Sequence, residues 1–353
     1  MPIKNRRTWL FEYSVLIIFK YLSHFQDFIH KFAEILTKKT TEMTSPELYH
    51  LPVMLQECLE GLNIRPDGVY VDVTFGGGGH SRAILERLGE NGKLIVFDQD
   101  PDAKQNSLAF ADDKRFTFIE ANFRNIKKYL RLYSIKKVDG ILADFGISSH
   151  QIDEPTRGFS TRFEGDLDMR MNQKSEISAF TIINEYPEAQ LHKILGMYGE
   201  VKNAKTLAGG IVRERMNNPI KTTGEFKAVL DKFAPKFKEF KYYAQVFQAI
   251  RIEVNQELEV IQEFLEQVPD LLKDTESRVV IMTFHSLEDR LVKNYIKAGN
   301  FKGEMDRDIV FGTVTKPLEG ITRKPIEASP EELSSNNRSR SAKLRVATLS
   351  MIE

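Results

Sequence analysis

A run of glycines between an acidic strand end and a helix-like segment is the first chemical signal in this sequence. From Val69 to Ser81 the chain reads VYVDVTFGGGGHS, in which an alternating apolar segment leads into four consecutive glycines. Glycines let the backbone turn sharply and approach a ligand without a Cβ atom in the way. Amide groups at the start of the following helix can then point into the site. This order predicts the strand, tight turn and helix that open a nucleotide-binding α/β unit.

Asp98 is a candidate for binding a ribose. It ends a second apolar segment, KLIVFD, and a carboxylate about 20 residues past the glycines of such a unit can accept both ribose hydroxyls. The alternative is an aspartate that caps a helix or lies in the loop before Pro101. Its position at a strand end favours the ribose, whereas Asp100 and Asp102 are expected to be solvated or capping residues.

Asp144 ends a fourth apolar segment, at the start of ADFGISSHQID. Its carboxylate could bind a cofactor or accept a hydrogen bond from a substrate amine. Ser148, Ser149 and Gln151 would supply neutral hydrogen bonds in the same loop, although turn formation is a strong alternative for the two serines. Phe123, after the third strand, could lie against an adenine ring or be an ordinary core aromatic, and the sequence supports both equally.

Two histidines lie beside the predicted crevice. No second histidine or carboxylate stands at ligand spacing from His80, so the sequence predicts a packing or hydrogen-bonding role and no metal site. His285 follows the fifth strand in HSLEDR, where Ser286 and Asp289 are spaced as a helix capping box. A substrate role for His285 remains open. No serine lies in a G-x-S-x-G elbow, which argues against a Ser-His-acid hydrolase.

The composition is that of a globular protein with a substantial core. Of the 353 residues, 41% are hydrophobic, and 50 Lys and Arg balance 50 Asp and Glu. The chain therefore has no global positive field, and any contact with nucleic acid has to come from local patches. The single cysteine, Cys58, excludes an internal disulfide framework and any Cys-rich zinc site, and it fits a reducing cytosol.

Two basic clusters are candidates for such patches. The first alternates lysines with aromatic residues: Lys227, Lys232, Lys236, Lys238 and Lys241 with Phe226, Phe233, Phe237, Phe240, Tyr242 and Tyr243. The second comprises Arg338, Arg340, Lys343 and Arg345. The first pattern can bind phosphates and stack bases. It is also typical of a solvated helix face over a core, and we favour that interpretation. The second cluster has the same ambiguity.

The elements that position these residues alternate between strand and helix. The first strand is predicted to begin at Val69. Further strands are predicted at Lys93–Asp98, Arg115–Glu120, Val138–Asp144 and Arg278–Phe284, and two late strands near DIVFGTVT and KLRVATLS. Alternation of strands and helices implies a parallel sheet. No strand is predicted between about Asp153 and Tyr243. A helix capped by a threonine oxygen is predicted to begin after Thr222 and Thr223. A long helix is predicted from about Gln245 past Val268. Residues 316–342 are polar and predicted as loop or partly disordered.

This pattern predicts a doubly wound, mostly parallel α/β sheet with an inserted all-helical domain. Residues 44–152 and 245–353 would form the sheet domain, and residues 153–244 the substrate-recognition insertion. Residues 1–43 would be an N-terminal extension, with Met43 as the expected native start. The apolar run Tyr13–Phe19 is far shorter than the roughly 20 residues of a spanning helix. A peripheral amphipathic helix is the alternative for this segment, but we favour an over-extended reading frame and expect no membrane partner.

Ordered motifs along nearly the whole chain resemble the RsmH (MraW) family of bacterial 16S rRNA cytosine-N4 methyltransferases. They are HLPVML, VDVTFGGGGHS, DQDPDA, DGILADFGISSHQID, RGFS, LDMRM, YGE, FQAIRIEVNQEL, FHSLEDR and NNRSRSAKLR. The spacing from Asp72 to Gly78 resembles the first motif of S-adenosylmethionine methyltransferases. Many members have proline where this chain has His150.

The resemblance implies a class I methyltransferase domain, S-adenosyl-L-methionine as cofactor and a cytoplasmic enzyme. Its substrate would be a decoding-centre cytidine of 16S rRNA within the small ribosomal subunit. The cofactor residues carried over by motif are Gly78, Gly79, His80, Asp98, Phe123, Asp144 and Gln151. Asp144 would also be catalytic, because it could orient the amine and help remove its proton.

Two other functions remain open at this point. A nicotinamide-dependent oxidoreductase is disfavoured because Ser81 stands where the dinucleotide fingerprint needs its third glycine. A non-catalytic ribosome-assembly or RNA-binding factor is disfavoured by the intact glycine turn together with Asp98 and Asp144. The sequence leaves the oligomeric state open.

Overall fold

The computed structural model describes residues 52–305 and 316–351, which are built around a seven-stranded sheet. The strands are β1 (Val69–Asp72), β2 (Lys93–Asp98), β3 (Phe116–Glu120), β4 (Gly140–Asp144), β5 (Arg278–Thr283), β6 (Leu318–Gly320) and β7 (Lys343–Leu349). Their order is β3-β2-β1-β4-β5-β7-β6. Strands β1 to β5 pair in parallel, and β7 is antiparallel to both β5 and β6. The predicted doubly wound, mostly parallel sheet is confirmed.

The strand order reverses between β1 and β4, and this fixes where a ligand can bind. From β1 the chain moves outward to β2 and β3, and then returns to place β4 on the other side of β1. In open α/β sheets, ligands bind beyond the carboxyl ends of the strands at such a switch point. Asp72 is the last residue of β1 and Asp144 the last of β4. Both carboxylates therefore lie at the edge where a ligand is expected.

Helices cover both faces of the sheet. The helices before and within its first half are α1 (Leu55–Leu62), α2 (Gly79–Leu85), α3 (Pro101–Ser107), α4 (Ile126–Leu132) and α5 (Ser149–Asp153). Alternate strand residues face opposite layers, so Ile141 packs in one hydrophobic cluster and Leu142 in the other. The near-continuous apolar strands are explained by this two-sided burial.

A second hydrophobic core lies between β4 and β5 in the sequence. Its helices are α6 (Ala179–Glu185), α7 (Glu188–Met197), α8 (Ala204–Asn217), α9 (Thr223–Asp231) and α10 (Glu239–Asn255). The buried residues of this core run from Phe159 to Val254. No strand forms between residues 153 and 243, as predicted. Thr222 caps α9 by accepting a hydrogen bond from the Glu225 amide at 3.2 Å, which confirms the predicted threonine cap.

The single long helix predicted from about Gln245 past Val268 is wrong. Helix α10 ends at Asn255, Gln256 adopts a left-handed conformation with φ 51°, and α11 (Glu257–Leu271) follows. The apolar spacing continues across the break, but the two halves serve different cores. Val254 packs in the second core, whereas Ile261 packs against the sheet.

The segment 316–342, predicted as loop or partly disordered, contains regular structure. Besides β6, it holds α13 (Pro330–Ser335), and α12 (Ser286–Ala298) precedes it in the chain. Ser329 caps α13, and the carboxylate of Glu332 accepts a hydrogen bond from the Met54 amide at 2.7 Å. This contact joins residues 278 positions apart, so no local pattern could reveal it.

One further prediction, the capping box of α12, is wrong, and others fall on residues that the structure does not describe. The cap of α12 is His285 with Glu288, not Ser286 with Asp289. Residues 1–43, the proposed start at Met43 and the strand near DIVFGTVT lie outside the described residues. Among residues 52–305 and 316–351, no helix has the length and apolar character needed to cross a bilayer.

Candidate active site at the carboxyl edge of the sheet

The glycine turn is held against the end of β2. Gly76 and Gly78 have φ of 52° and 77°, which few other residues adopt without strain. The Gly76 amide donates to a carboxylate oxygen of Asp98 at 2.8 Å, and the Asp100 amide donates to the other at 2.9 Å. The turn and the aspartate that sequence spacing associated with it are therefore in direct contact.

The four glycines have different surroundings. A Cβ atom on Gly79 would lie 2.4 Å from Pro52 Cγ, and one on Gly78 would lie 2.8 Å from the Phe75 ring. These two positions need glycine because the protein packs closely there. A Cβ on Gly77 would meet no atom within 4 Å. The turn thus has a packed side and a side that faces open space.

Asp98 combines burial with local hydrogen bonding. Burial raises the pKa of Asp98 to about 6, although the amide hydrogen bonds from Asp100 and Gly76 oppose the shift. The carboxyl group of Asp98 therefore gains or loses its proton close to neutral pH. Its side chain is well placed to accept hydroxyl hydrogen bonds once it is ionised.

Ser81, which replaces the third glycine of a dinucleotide fingerprint, has a structural partner. Its hydroxyl donates to Asp72 at 2.7 Å, and the other oxygen of Asp72 accepts from the Thr74 amide at 3.0 Å. Thr74 Oγ1 in turn accepts from the Asp144 amide at 2.7 Å. This chain of hydrogen bonds fixes the ends of β1 and β4 relative to each other.

Asp144 lies beside His80 at the switch point. The His80 Nδ1 atom is 3.9 Å from an oxygen of Asp144, and its Nε2 atom is 3.1 Å from the Val53 carbonyl. Burial raises the pKa of Asp144 well above its usual value, and the negative charges of Asp72 and Glu288 add to the shift. Burial also lowers the pKa of His80. The Oδ1 atom of Asp144 is buried and has no hydrogen-bond partner within the described ranges.

Gln151 is placed next to Asp100 rather than next to Asp98. Its side-chain amide donates to Asp100 at 2.6 Å, and its oxygen accepts from the Ser148 amide at 2.9 Å. Asp100 caps α3, as expected of a capping residue, but it is buried and not solvated. Ser148 forms a capping box with Gln151 at the start of α5, in agreement with its turn-making alternative.

Arg157 is a prominent residue of this region that the sequence did not reveal. Its guanidinium donates to Asp100 at 2.7 Å and to Asp102 at 2.6 Å, and its side chain is 6% exposed. Burial raises the pKa of Asp100, but Arg157, the Asp102 amide and Gln151 together outweigh it and hold that pKa below its usual value. Nothing local in RGFS distinguishes a buried arginine from a solvated one.

Phe123 takes part in an aromatic group below the crevice. Its ring stacks on Phe145 with centroids 5.7 Å apart and meets Phe264 edge-to-face at 5.4 Å. Phe123 itself is only partly buried, at the margin of the core. The packing agrees with the alternative of a core aromatic, and the adenine contact stays a prediction.

Residues 47–350 match the model of the MraW methylase family. The chain belongs to the MraW methylase family. Ribosomal RNA small subunit methyltransferase H of Cytophaga hutchinsonii is 56% identical over 300 residues, which cover 85% of this chain and 99% of that protein. The protein of the same name from Flavobacterium johnsoniae is 55% identical over 305 residues, covering 86% of this chain and 99% of that protein.

Two motifs of the chain meet at the carboxyl end of β5. The Arg251 fork holds both oxygens of Glu257 at 2.8 and 2.9 Å, and His285 Nε2 lies 3.1 Å from Glu288. Potential ligand atoms of Glu257, His285 and Glu288 all lie within 4.8 Å of one another, a proximity that sequence spacing did not predict. The four side chains pair among themselves as two acid–base pairs.

The two basic clusters of the methylase differ in their surroundings. In the second, Arg345 and Lys343 contact Asp289 at 2.8 and 3.7 Å, and Arg338 contacts Asp153 at 3.0 Å. These cations are engaged within the protein. In the first, the core interpretation holds for Phe226, Tyr242 and Tyr243, which are buried, but not for Phe237 and Phe240, which are exposed.

Proposed function

We propose that the chain transfers a methyl group from S-adenosyl-L-methionine to the exocyclic N4 amine of a cytidine in 16S rRNA. The relatives named ribosomal RNA small subunit methyltransferase H, each matched over 99% of its length, support this reaction. The placement of Asp144 is the observation that carries the proposal. Its carboxylate lies at the switch point of the sheet, and one buried oxygen has no partner among the residues that the structure describes.

The residues at the carboxyl edge fit the methyl donor. The open side of the glycine turn at Gly77 leaves room for a ligand against the backbone. We assign the ribose hydroxyls to Asp98, whose carboxylate already orders the turn. We assign backbone contacts to Gly78 and Gly79, because their Cβ positions face the protein interior.

His80, Phe123 and Gln151 complete the proposed cofactor site. We assign to His80 the positioning of Asp144, which lies 3.9 Å away. The partly exposed Phe123 ring offers an apolar surface for the adenine. Gln151 is held by Asp100 and Ser148, and its second N–H and second oxygen lone pair are the groups that we assign to the cofactor.

For this reaction the chain has to align the amine with the methyl group and to accept a proton from the amine. S-adenosylmethionine supplies an electrophilic methyl group on a positively charged sulfur. Cytosine N4 is a poor nucleophile because its lone pair is delocalised into the ring. Asp144 accepts a hydrogen bond from the amine, which orients N4 for in-line attack and provides a base for its proton. The pKa of Asp144 is raised above its usual value, so the group holds that proton better than an exposed carboxylate does.

The substrate we propose is the assembled small subunit in the cytoplasm rather than free 16S RNA. The target cytidine has to leave its stack to reach a site at the sheet edge. The helical segment 153–244, which leaves from the carboxyl end of β4, is proposed as the domain that recognises the RNA around it.

Methylation assays on the two substrates test the proposal. Purified full-length protein is incubated with S-adenosylmethionine and either isolated unmethylated small subunits or free 16S RNA, and the modified base is mapped by mass spectrometry. We expect N4-methylcytidine at one site, formed faster on subunits. Methylation of another atom, or none on either substrate, would refute the proposed reaction.

Two further measurements test the alternative functions, a thermal shift for the oxidoreductase and a gene deletion for the assembly factor. S-adenosylmethionine should raise the melting temperature, and NAD should not. Stabilisation by NAD alone would support an oxidoreductase instead. In cells, an unchanged N4-methylcytidine signal after deletion of this protein would support a non-catalytic assembly factor.

A further inference from the structure

Two phenylalanine rings project from the surface of the helical segment. Phe237 is 96% exposed and Phe240 85% exposed, in contrast with Tyr242 and Tyr243 at 4% and 7% on the same stretch. The alternating pattern therefore divides into a buried face and an exposed face. Exposed aromatic side chains grouped with charges are typical of interaction sites rather than of an inert surface.

The backbone conformation of the turn before α10 fixes the outward direction of the Phe237 ring. Phe237 has φ 65°, a left-handed conformation that is uncommon for a bulky residue. Its amide donates to the carboxylate of Glu239 at 3.0 Å, and the Lys238 amide donates to the Pro235 carbonyl at 3.1 Å. The turn between α9 and α10 is thus closed by hydrogen bonds that direct the Phe237 ring outward.

The charge around the rings is positive. Lys236, Lys238 and Lys241 are exposed, and none has an ion-pair partner within residues 52–305 and 316–351. The neighbouring acids are engaged, because Glu239 accepts from the Phe237 amide and Asp231 accepts from the Tyr243 hydroxyl. By contrast, Lys232 is paired with Glu214 at 2.8 Å. Three lysines without an ion-pair partner in the described ranges therefore lie within four residues of two exposed rings, of which Phe240 also meets the Tyr243 ring edge-to-face at 6.3 Å.

We propose that this aromatic-lysine surface, comprising Lys236, Phe237, Lys238, Phe240 and Lys241, binds a single-stranded segment of small-subunit RNA outside the target nucleotide. Bases would stack on the two rings, and the ammonium groups would contact the flanking phosphates. Lysine is depleted at protein–protein interfaces, so this composition favours RNA over a ribosomal protein as the partner. The inference rests on the proposed function and adds a second contact point to it.

The decisive variant is the full-length protein with Phe237→Ala and Phe240→Ala. The KM for unmethylated small subunits should rise at least about fivefold for each ring lost, given the usual strength of base–aromatic stacking. The kcat, the Kd for S-adenosylmethionine and the melting temperature should not change. Replacing both rings by Trp, which also stacks, should restore the KM. Leu132→Ala, at a site 70% exposed on the sheet domain, is the matched control and should have no effect.

A second variant tests the charges. Lys236→Gln, Lys238→Gln and Lys241→Gln together should weaken binding of a fluorescein-labelled oligouridylate and lower the slope of log affinity against log salt by about 2. If the ring and lysine variants lose affinity for subunits but bind the oligouridylate as the wild type does, the surface contacts a ribosomal protein and the RNA assignment is wrong. An unchanged KM in both variants overturns the inference while the wild type still methylates. Loss of methylation by the wild type would instead refute the proposed function.

Discussion

Arg157 and Asp100 form a buried ion pair in which a guanidinium nitrogen lies 2.7 Å from a carboxylate oxygen, across 57 positions of sequence. Both side chains are 6% exposed. Asp100 caps α3, two residues after Asp98, and its amide donates to the Asp98 carboxylate. The pair thus joins the loop that follows β4 to the end of β2, where we place the ribose of the cofactor.

Removing the cation of this pair should destabilise the protein strongly. Arg157→Met leaves the Asp100 charge buried without its partner, which costs about 3–5 kcal/mol of unfolding free energy. Urea denaturation followed by circular dichroism measures the change. Arg162→Met is the control, because Arg162 contacts Asp153 at 3.4 Å with its side chain 64% exposed. Loss of that exposed pair should cost no more than about 1 kcal/mol.

A companion variant shows whether the buried charge causes the effect. Adding Asp100→Asn to Arg157→Met removes the buried carboxylate that has lost its cation, so the double variant should recover part of the lost stability. Equal instability of the single and double variants would contradict the ion-pair explanation and would point to lost packing instead.

The affinity for S-adenosylmethionine should depend on pH through Asp98. Ribose hydroxyls donate to the ionised carboxylate, and burial raises the pKa of Asp98 to about 6. The ionised form predominates above that pH and is lost as the pH falls, so the Kd should rise about tenfold per pH unit below 6. Isothermal titration calorimetry from about pH 8 to about pH 5 measures this dependence.

Asp98→Asn is the control for that titration. The amide does not ionise, so its affinity should be weaker near neutral pH and should lack the tenfold rise in Kd per pH unit below about 6 that Asp98 causes. A wild-type Kd that stays constant down to about pH 5 would show that Asp98 does not bind the ribose as a carboxylate.

Features that depend on local patterns were predictable from the sequence. Strands β2 and β4 were predicted because apolar residues continue to a terminal aspartate. The spacing that made Asp98 a ribose candidate agrees with its place beside the glycine turn, although the ribose contact itself stays a prediction. A threonine cap at the start of α9 was predicted because a capping side chain acts on the next three residues, and Thr222 is that threonine. In each case the determining interactions lie within a few residues or follow from the regular order of a parallel sheet.

Features that depend on distant contacts were not predictable. The break at Gln256 leaves the apolar spacing intact, and only the presence of two separate cores explains it. The burial of Arg157 depends on an aspartate 57 positions away. Phe237 and Phe240 share their pattern with buried aromatic neighbours, and only the turn at Phe237 shows which rings face outward.

Two glycines of the turn should respond in opposite ways to alanine. In Gly79→Ala the new Cβ would lie 2.4 Å from Pro52 Cγ, so overpacking should destabilise the fold by about 1–3 kcal/mol. In Gly77→Ala the new Cβ would meet no atom within 4 Å, so the free protein should keep its stability. If the cofactor fills that space, Gly77→Ala should nevertheless bind S-adenosylmethionine far more weakly.

Denaturation measures the stability of the two variants, and titration with S-adenosylmethionine measures their Kd. The expected result is a stable Gly77→Ala protein with a Kd raised at least about tenfold, which is a loss of about 1.4 kcal/mol of binding free energy. Normal affinity in this variant would place the cofactor elsewhere along the sheet edge.

Asp144→Asn tests the group that we assign to the amine. The asparagine keeps the shape of the side chain but cannot accept a proton, so single-turnover methyl transfer to small subunits should slow by about 100-fold or more. The Kd for S-adenosylmethionine, measured separately, distinguishes a catalytic role from a binding role. A weaker Kd with an unchanged rate of transfer at saturating cofactor would make Asp144 a binding residue only.

Proton release on cofactor binding gives an independent measurement of the same residue. Burial, Asp72 and Glu288 raise the pKa of Asp144 well above its usual value in the free protein. A positively charged ligand beside the carboxylate lowers that pKa and expels the proton. Calorimetry at about pH 7.5, where Asp98 is already ionised, in buffers of different ionisation enthalpy should detect this release in the wild type. The release should be absent in Asp144→Asn, and an equal release in both proteins would show that the cation does not lie near Asp144.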